Sequence, residues 1–205
     1  MHLYGFIIGI AIALGISYFE NHNRVIPKNK LIYFEIGLIF CAILGARIYH
    51  VADQWSFYSQ NPTLIPQTWL GGLGIFGALI GSLLYFLVFV DRKSYLDLLN
   101  SITPILPLCQ AIGRIGNFVN HENPNWWFEA IFDVGLFIFI NRYPQNPTAK
   151  YLVGYGLIRF VSEFYRQDTW VYQNIKIGQI ISLIFIIIGL CLLQKNNIQP
   201  RFTKR

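Results

Sequence analysis

The chain alternates long apolar stretches with short polar connections, a pattern that predicts an all-α, polytopic membrane protein. A helix needs about 20 mostly apolar residues to cross the hydrocarbon core of a bilayer. Seven stretches are candidates for transmembrane helices, at 2–19, 31–52, 70–90, 96–119, 127–141, 150–166 and 176–194. The fifth and sixth are short and carry charged residues, so the pattern defines their ends least well. We therefore expect a single integral membrane domain over residues 1–205, with seven transmembrane helices.

Composition supports this class and argues against a nucleic-acid-binding protein. Apolar residues make up 54% of the chain and charged residues only 13%, far from the averages of soluble proteins. The formal net charge is +6, but the basic residues are scattered between apolar stretches and form no single stripe. The cysteines Cys41, Cys109 and Cys191 form no CxxC pair, so no metal site is indicated, and we expect no cofactor.

Lysine and arginine are concentrated in the connections on one side of the predicted membrane, which is typical of cytoplasmic loops. These basic residues are Arg24, Lys28, Lys30, Arg92, Lys93, Arg142, Lys150, Lys195, Arg201, Lys204 and Arg205. The opposite connections at 53–69 and 120–126 have none, and the last outer connection has only Arg166 and Lys176 at its ends. We therefore expect the amino terminus outside and the carboxyl terminus in the cytoplasm.

The outer end of the fourth stretch, Gly113–Asn120, contains an arginine and two amides. A guanidinium at the centre of a bilayer costs roughly 2.5 to 3.5 kcal/mol on insertion scales, so a functional role is the default interpretation. Asn117 follows Arg114 by one helical turn, and Asn120 continues the same face. The planar guanidinium suits phosphate because it donates two parallel hydrogen bonds. The alternative is a helix-end arginine that reaches the membrane interface.

A second charged set lies near the outer end of the sixth stretch. Arg159, Glu163 and Arg166 are spaced i, i+4 and i+7, which predicts one helical face, with Tyr155 one turn below. A carboxylate between two guanidiniums can hold both while leaving a net positive charge for a ligand. The alternative is an ion-pair network that only ties helices together. We favour an anion site, because hydrocarbon penalises the arginine left without a counterion.

Two features of the second and third stretches have competing interpretations. Residues 72–77 satisfy G-x-G-x-x-G, but no strand precedes them, so a dinucleotide site is not predicted. Gly77 and Gly81 form a GxxxG pair, which predicts close packing of two helices. Arg47 and His50 are either interface anchors or site residues.

Together these segments resemble the prolipoprotein diacylglyceryl transferase family of bacterial inner membranes, in order and over most of the chain. The Arg114 segment and the block from Arg159 to Arg166 are the most specific parts of the resemblance. The matching segments are Tyr4-Gly5, Gly45–Tyr49, Trp69–Gly81, Gly113–Asn120, Glu129, Tyr155–Phe160, Glu163–Gln167 and Gly178–Ile180.

The resemblance implies an enzyme of the bacterial cytoplasmic (inner) membrane, integral to it, with its site facing the outer leaflet. Such an enzyme transfers the diacylglyceryl group from phosphatidylglycerol to the lipobox cysteine thiol of prolipoproteins. The reaction forms a thioether and releases glycerol phosphate, and it is the first step of lipoprotein maturation. The implied partners are phosphatidylglycerol, membrane lipid and prolipoprotein signal peptides with a lipobox cysteine.

The resemblance also assigns roles to individual residues. Arg114 would hold the lipid phosphate, Arg159 would stabilise the leaving group, and Glu163 would position Arg159. Tyr4 and Asn117 would orient the head group. The remaining residues of the implied phospholipid-binding set are Gly116, Asn120 and Arg166.

The chain departs from the family pattern in two places. Phe76 stands where the family usually has a histidine, a candidate base for the substrate thiol. A thiol of pKa about 8.5 is already partly ionised at neutral pH. Because they are placed near the outer ends of their segments, His50, His121 and Glu163 are the candidates for a substitute base. Only Asn120–Trp127 joins the fourth and fifth stretches, where the family usually has a larger outer segment. We therefore expect a reduced periplasmic head.

Two other functions stay open at this stage. The substitution at Phe76 is compatible with a catalytically lapsed homologue that binds phosphatidylglycerol without transferring it. Buried arginines are also expected in an anion or lipid transporter. A transporter predicts internal repeat symmetry and a polar path to the cytoplasmic side, and the sequence shows neither.

Overall fold

The computed structural model describes residues 2–68, 75–119, 125–166, 171–172 and 175–198. These residues are helical apart from turns, short connections and one small antiparallel hairpin of β1 (Val171–Tyr172) and β2 (Ile175–Lys176). Single 3₁₀ turns cover Pro62–Leu64 and Arg92–Ser94. The α-helices are α1 (His2–His22), α2 (Lys28–Asp53), α3 (Trp55–Tyr58), α4 (Ile75–Phe89), α5 (Tyr95–Ile102), α6 (Leu106–Val119), α7 (Trp126–Arg142), α8 (Pro147–Tyr165) and α9 (Ile177–Ile198).

The chain divides into two compact units. The larger unit comprises Met1–Arg24 and Leu96–Arg205, and the smaller unit comprises Val25–Tyr95. In the larger unit α1 packs on α6, α6 on α7, α7 on α8, and α8 on α9. In the smaller unit α2 packs on α4. Every residue of the charged site described below belongs to the larger unit.

Three helical segments in the described part of the chain are long and apolar enough to cross a membrane: Gly5–His22, Lys28–Asp53 and Ile177–Lys195. Their surfaces expose large apolar side chains, such as Phe6 on α1 and Ile187 on α9. An apolar surface of this extent is costly in water, whereas lipid chains cover it without cost. The chain is thus an all-helical integral membrane protein, as its hydrophobic pattern predicts.

Each of the seven predicted stretches contains a helix, but the fourth is not continuous as expected. It divides into α5 and α6, with a turn over residues 103–105. Pro104 explains the break, because proline lacks an amide donor and disfavours the α conformation of the residue before it. Hydrogen bonds stabilise the end of α5 against the start of α8: the Thr148 hydroxyl donates to Asn100 Oδ1 at 2.7 Å and lies 3.3 Å from the Thr103 hydroxyl.

Glycine allows α2 and α4 to touch backbone to backbone in the smaller unit. A Cβ atom at Gly45 would overlap the carbonyl oxygen of Gly77, and one at Gly77 would overlap the carbonyl oxygen of Gly45. A Cβ atom at Gly81 would overlap the carbonyl oxygen of Cys41. The close packing predicted from the Gly77 and Gly81 pair is therefore confirmed.

Arg47 stabilises the connection that follows α3 in the smaller unit. Its side chain is buried, and it donates to the carbonyl oxygens of Leu64 at 2.5 Å and Ile65 at 2.7 Å. The guanidinium also lies 5.1 Å from the ring centroid of Tyr58, and His50 packs edge-on against the same ring. These contacts give Arg47 a structural role that neither sequence interpretation anticipated.

We predict that Gly81→Ala destabilises the smaller unit. The new methyl group would displace the α2 backbone at Cys41, and overpacking of this kind costs about 1 to 3 kcal/mol. Thermal unfolding in detergent micelles measures the loss. Gly135→Ala is the matched control, since a Cβ there meets nothing within 4 Å. Equal melting temperatures for the two variants would contradict close packing of α2 and α4.

Candidate functional site

The site begins with an ion pair between α6 and α7. Arg114 Nη2 lies 2.8 Å from Glu129 Oε2, and the Glu129 side chain is 3% exposed. Glu129 lies in the first turn of α7, where the free backbone amides of a helix favour negative charge. The helix end and the guanidinium together stabilise a buried carboxylate that hydrocarbon would otherwise penalise.

Glu129 contacts two further guanidiniums, both from the end of α8. Arg159 Nη1 lies 3.8 Å from Glu129 Oε2, and Arg166 Nη1 donates to Glu129 Oε1 at 3.3 Å. One carboxylate therefore joins three arginines: one on α6, one on α8 and one in the residue that follows α8. We call Arg114, Arg159 and Arg166 the arginine cluster. All three side chains remain partly accessible, with exposures between 12% and 24%.

Glu163 holds Arg159 from the other side. The two residues form an i, i+4 ion pair on α8, and Glu163 is completely buried. A Cβ atom at Gly178 would overlap the Glu163 carboxylate, so glycine at this position leaves room for the carboxylate beside the first turn of α9. The amino-terminal end of α9 thus adds a favourable partial charge beside Glu163. Its burial and its ion pair favour a positioning role for Glu163 over that of a thiol base.

Arg166 differs from the sequence prediction. Helical spacing placed Glu163 between Arg159 and Arg166, but α8 ends at Tyr165 and the backbone of Arg166 is extended, with φ −79° and ψ 137°. The i+7 spacing therefore fails at this residue, and its guanidinium contacts Glu129. Lys176 fixes the new chain direction, because its ammonium donates to the carbonyl oxygens of Glu163 and Arg166.

The geometry of the cluster favours binding of an anion. Within ion-pair distance, the three guanidiniums of the cluster face two carboxylates, Glu129 and Glu163. An excess of positive charge among partly accessible side chains attracts an anionic ligand, and the planar guanidinium matches a phosphate. In the described part of the chain, no group of three or more His, Cys, Asp or Glu side chains is placed to hold a metal ion.

The helices that carry the charged site also form an apolar groove. It lies between α7 and α8, with a volume of about 480 Å³, and Phe128, Phe132, Gly135, Leu157 and Val161 are among its lining residues. Phe128 immediately precedes Glu129 on α7. The lining residues of the groove are therefore sequence neighbours of the charged residues on the same helices.

The other predicted site residues divide into two groups. Asn117 lies one turn from Arg114 on α6, and Gly116 is buried in the same helix. The Asn117 amide makes no hydrogen bond within the described residues. Asn120 and the side chains of Tyr4 and Phe76 lie outside the described residues. The structure therefore brings together Arg114, Arg159, Glu163 and Arg166 of the predicted site.

The sequence interpretation missed the central position of Glu129 and gave no role to Asp133. Both lie on the buried face of α7, one turn apart, in an otherwise apolar helix. A carboxylate in such a helix is costly for the same reason as the arginine in α6, because hydrocarbon does not solvate a charge. The energetic cost of charge in an apolar helix therefore identifies both acidic residues from the sequence.

Comparison with known proteins assigns a family to this site. The sequence profile of the prolipoprotein diacylglyceryl transferase family matches residues 1–127 and 123–194. A phosphatidylglycerol–prolipoprotein diacylglyceryl transferase of Clostridium novyi is 32% identical, over 98% of this chain and 93% of the relative. A protein of the same name in Fervidobacterium nodosum is 32% identical, over 74% of this chain and 65% of the relative. Another in Thermosynechococcus vestitus is 30% identical, over 91% of this chain and 85% of the relative. The matched segments include both the α6 arginine and the charged end of α8, and the chain belongs to the prolipoprotein diacylglyceryl transferase family.

Proposed function

We propose that this protein transfers the diacylglyceryl group of phosphatidylglycerol to the lipobox cysteine of prolipoproteins. A bond forms between the cysteine sulfur and the glyceryl carbon, and the bond from that carbon to the phosphate oxygen breaks. The thiol loses its proton, and glycerol phosphate leaves. The observation that carries the proposal is the arginine cluster around Glu129, in a chain of this family.

The cluster supplies what this reaction needs most. Breaking the carbon–oxygen bond concentrates negative charge on the departing phosphate, and fixed guanidiniums stabilise that charge. Arg114 holds the phosphate and Arg159 stabilises the leaving group, while Glu129 and Glu163 keep both in place before substrate binds. The proposed phospholipid-binding set also includes Tyr4, Gly116, Asn117, Asn120 and Arg166.

The proposed membrane arrangement has seven transmembrane helices in one membrane domain. In this arrangement α4, α6, α7 and α8 join the three long apolar helices in crossing the bacterial inner membrane. The distribution of basic residues in the loops supports an external amino terminus and a cytoplasmic carboxyl terminus. The arginine cluster then faces the outer leaflet. Because α6 ends at Val119 and α7 begins at Trp126, only a small periplasmic head fits between them.

The alternative of a lapsed homologue depends on Phe76, which replaces the usual histidine. We favour transfer, because a cysteine thiol is a good nucleophile without a dedicated base. The intact set of arginines also argues against loss of the reaction. The names of the relatives favour a transferase over an anion or lipid transporter.

We predict that Arg114→Ala lowers the transfer rate by at least about 100-fold, as expected for removal of a group that stabilises developing charge. The assay follows thioether formation by mass spectrometry, with purified protein, phosphatidylglycerol vesicles and a synthetic lipobox peptide. A peptide with serine in place of the cysteine is the substrate control. Arg142→Ala, which removes an exposed arginine at the end of α7, serves as the protein control. Full activity of Arg114→Ala would refute the proposed site.

A second prediction concerns the missing histidine. The parent protein forms the thioether, and Phe76→His changes its rate by less than about tenfold, because the thiol is sufficiently ionised without that base. The same assay measures both rates, and Phe89→His, at the end of α4, controls for a histidine elsewhere on the helix. An inactive parent that gains activity only through Phe76→His would instead support the lapsed homologue.

A further inference from the structure

Asp133 is a buried carboxylate that the ion-pair network leaves unexplained. It is 1% exposed, one helical turn beyond Glu129 on α7. Neither of its carboxylate oxygens has a hydrogen-bond partner among the described residues. An unsatisfied buried carboxylate is strongly unfavourable, since it has lost its water without gaining a donor. In a binding site, a ligand that supplies the missing donors accounts for such a group.

Asp133 lies beside the arginine cluster. It lies one turn from Glu129 on the buried face of α7, and Glu129 contacts Arg114 on α6 and Arg159 on α8. Asp133 therefore shares a helix face with the partner of the two arginines that the proposed reaction uses for the phosphate.

Two neighbouring groups on α6 also lack partners. Gln110 Oε1 and Arg114 Nε are buried without a hydrogen bond in the described part of the protein. Gln110 is anchored through its other amide atom, since Nε2 donates to the Tyr151 hydroxyl at 2.9 Å. With the two oxygens of Asp133, this gives three unsatisfied acceptors and one unsatisfied donor. We call Gln110, Arg114 Nε and Asp133 the polar set.

The polar set has the hydrogen-bonding character that a polyol requires. Hydroxyl groups can donate to the carboxylate and amide oxygens and accept from Arg114 Nε. A vicinal diol offers two donors on adjacent carbons, which match the two oxygens of one carboxylate. Arg114 belongs to both groups: its Nη2 contacts Glu129 in the cluster, and its Nε belongs to the polar set. A ligand that contacts both the arginine cluster and the polar set thus needs a phosphate and, a few covalent bonds from that phosphate, hydroxyl groups.

We infer that Asp133 binds the glycerol hydroxyls of the phospholipid head group and so determines which head group the enzyme accepts. This inference rests on the proposed function, which supplies a phosphate esterified to glycerol. Asp133 is a specificity-determining residue here and takes no part in bond breaking. Its role predicts a preference for head groups that carry a diol over head groups that lack one.

The experiment compares two lipids that carry the same acyl chains. Phosphatidylglycerol has the diol, and phosphatidyl-1-propanol lacks both hydroxyls but donates the same diacylglyceryl group. We expect the parent protein to prefer phosphatidylglycerol by at least about tenfold in kcat/KM, because the analogue leaves buried acceptors unpaired. In Asp133→Asn that ratio falls towards one, mainly through loss of activity on phosphatidylglycerol. Asp97→Asn, which alters an exposed carboxylate on α5, leaves the ratio unchanged.

A second variant separates recognition from folding. Asp133→Leu removes the unsatisfied carboxylate and is expected to melt at the same or a higher temperature, with the same loss of preference. If either Asp133 variant loses activity equally on both lipids, the inference is wrong, since the residue then serves packing or the thiol. Equal use of both lipids by the parent protein would also overturn it, although transfer itself would stand. If the parent protein forms no thioether with either lipid, the proposed function is wrong, and the inference about Asp133 is wrong with it.

Discussion

The contact of one carboxylate with three guanidiniums organises the larger unit. Glu129 contacts Arg114 from α6 and both Arg159 and Arg166 from the end of α8. Without this carboxylate, three like charges would repel one another in a poorly hydrated environment. Without the arginines, the carboxylate would be a buried and unpaired charge. The cluster and the packing of α6, α7 and α8 therefore depend on each other.

The remaining contacts at this end of the unit keep the arginines in position. Glu163 pairs with Arg159, and Gly178 leaves room for the first turn of α9 beside Glu163. Lys176 binds the carbonyl oxygens of Glu163 and Arg166 where α8 ends. Guanidiniums held in this way need little rearrangement when a phosphate arrives, which is how preorganised charge accelerates a reaction. The groove between α7 and α8 is apolar, which is the character that the acyl part of a phospholipid would need.

The sequence predicted the helical class and the approximate ends of most helices, and it placed Arg159 and Glu163 on one helical face, where the structure pairs them. These features depend on local composition, on the cost of a charge in hydrocarbon and on a resemblance carried by contiguous segments. The partners of the charges were not predictable, because they depend on how helices far apart in the chain pack. Arg166 illustrates the difference: the helical spacing assumed for it ends one residue earlier, at Tyr165.

We propose that Glu129 arranges the arginines for transfer, and the rate of thioether formation by Glu129→Gln shows whether it does. Glutamine preserves the shape of the side chain and removes the charge that joins the three guanidiniums. Glu20→Gln, an exposed change on α1, is the control. We expect Glu129→Gln to form the thioether about 100-fold more slowly than this control, or slower still, while its helical content is unchanged. Equal rates for the two variants would mean that Glu129 does not arrange the arginines for transfer.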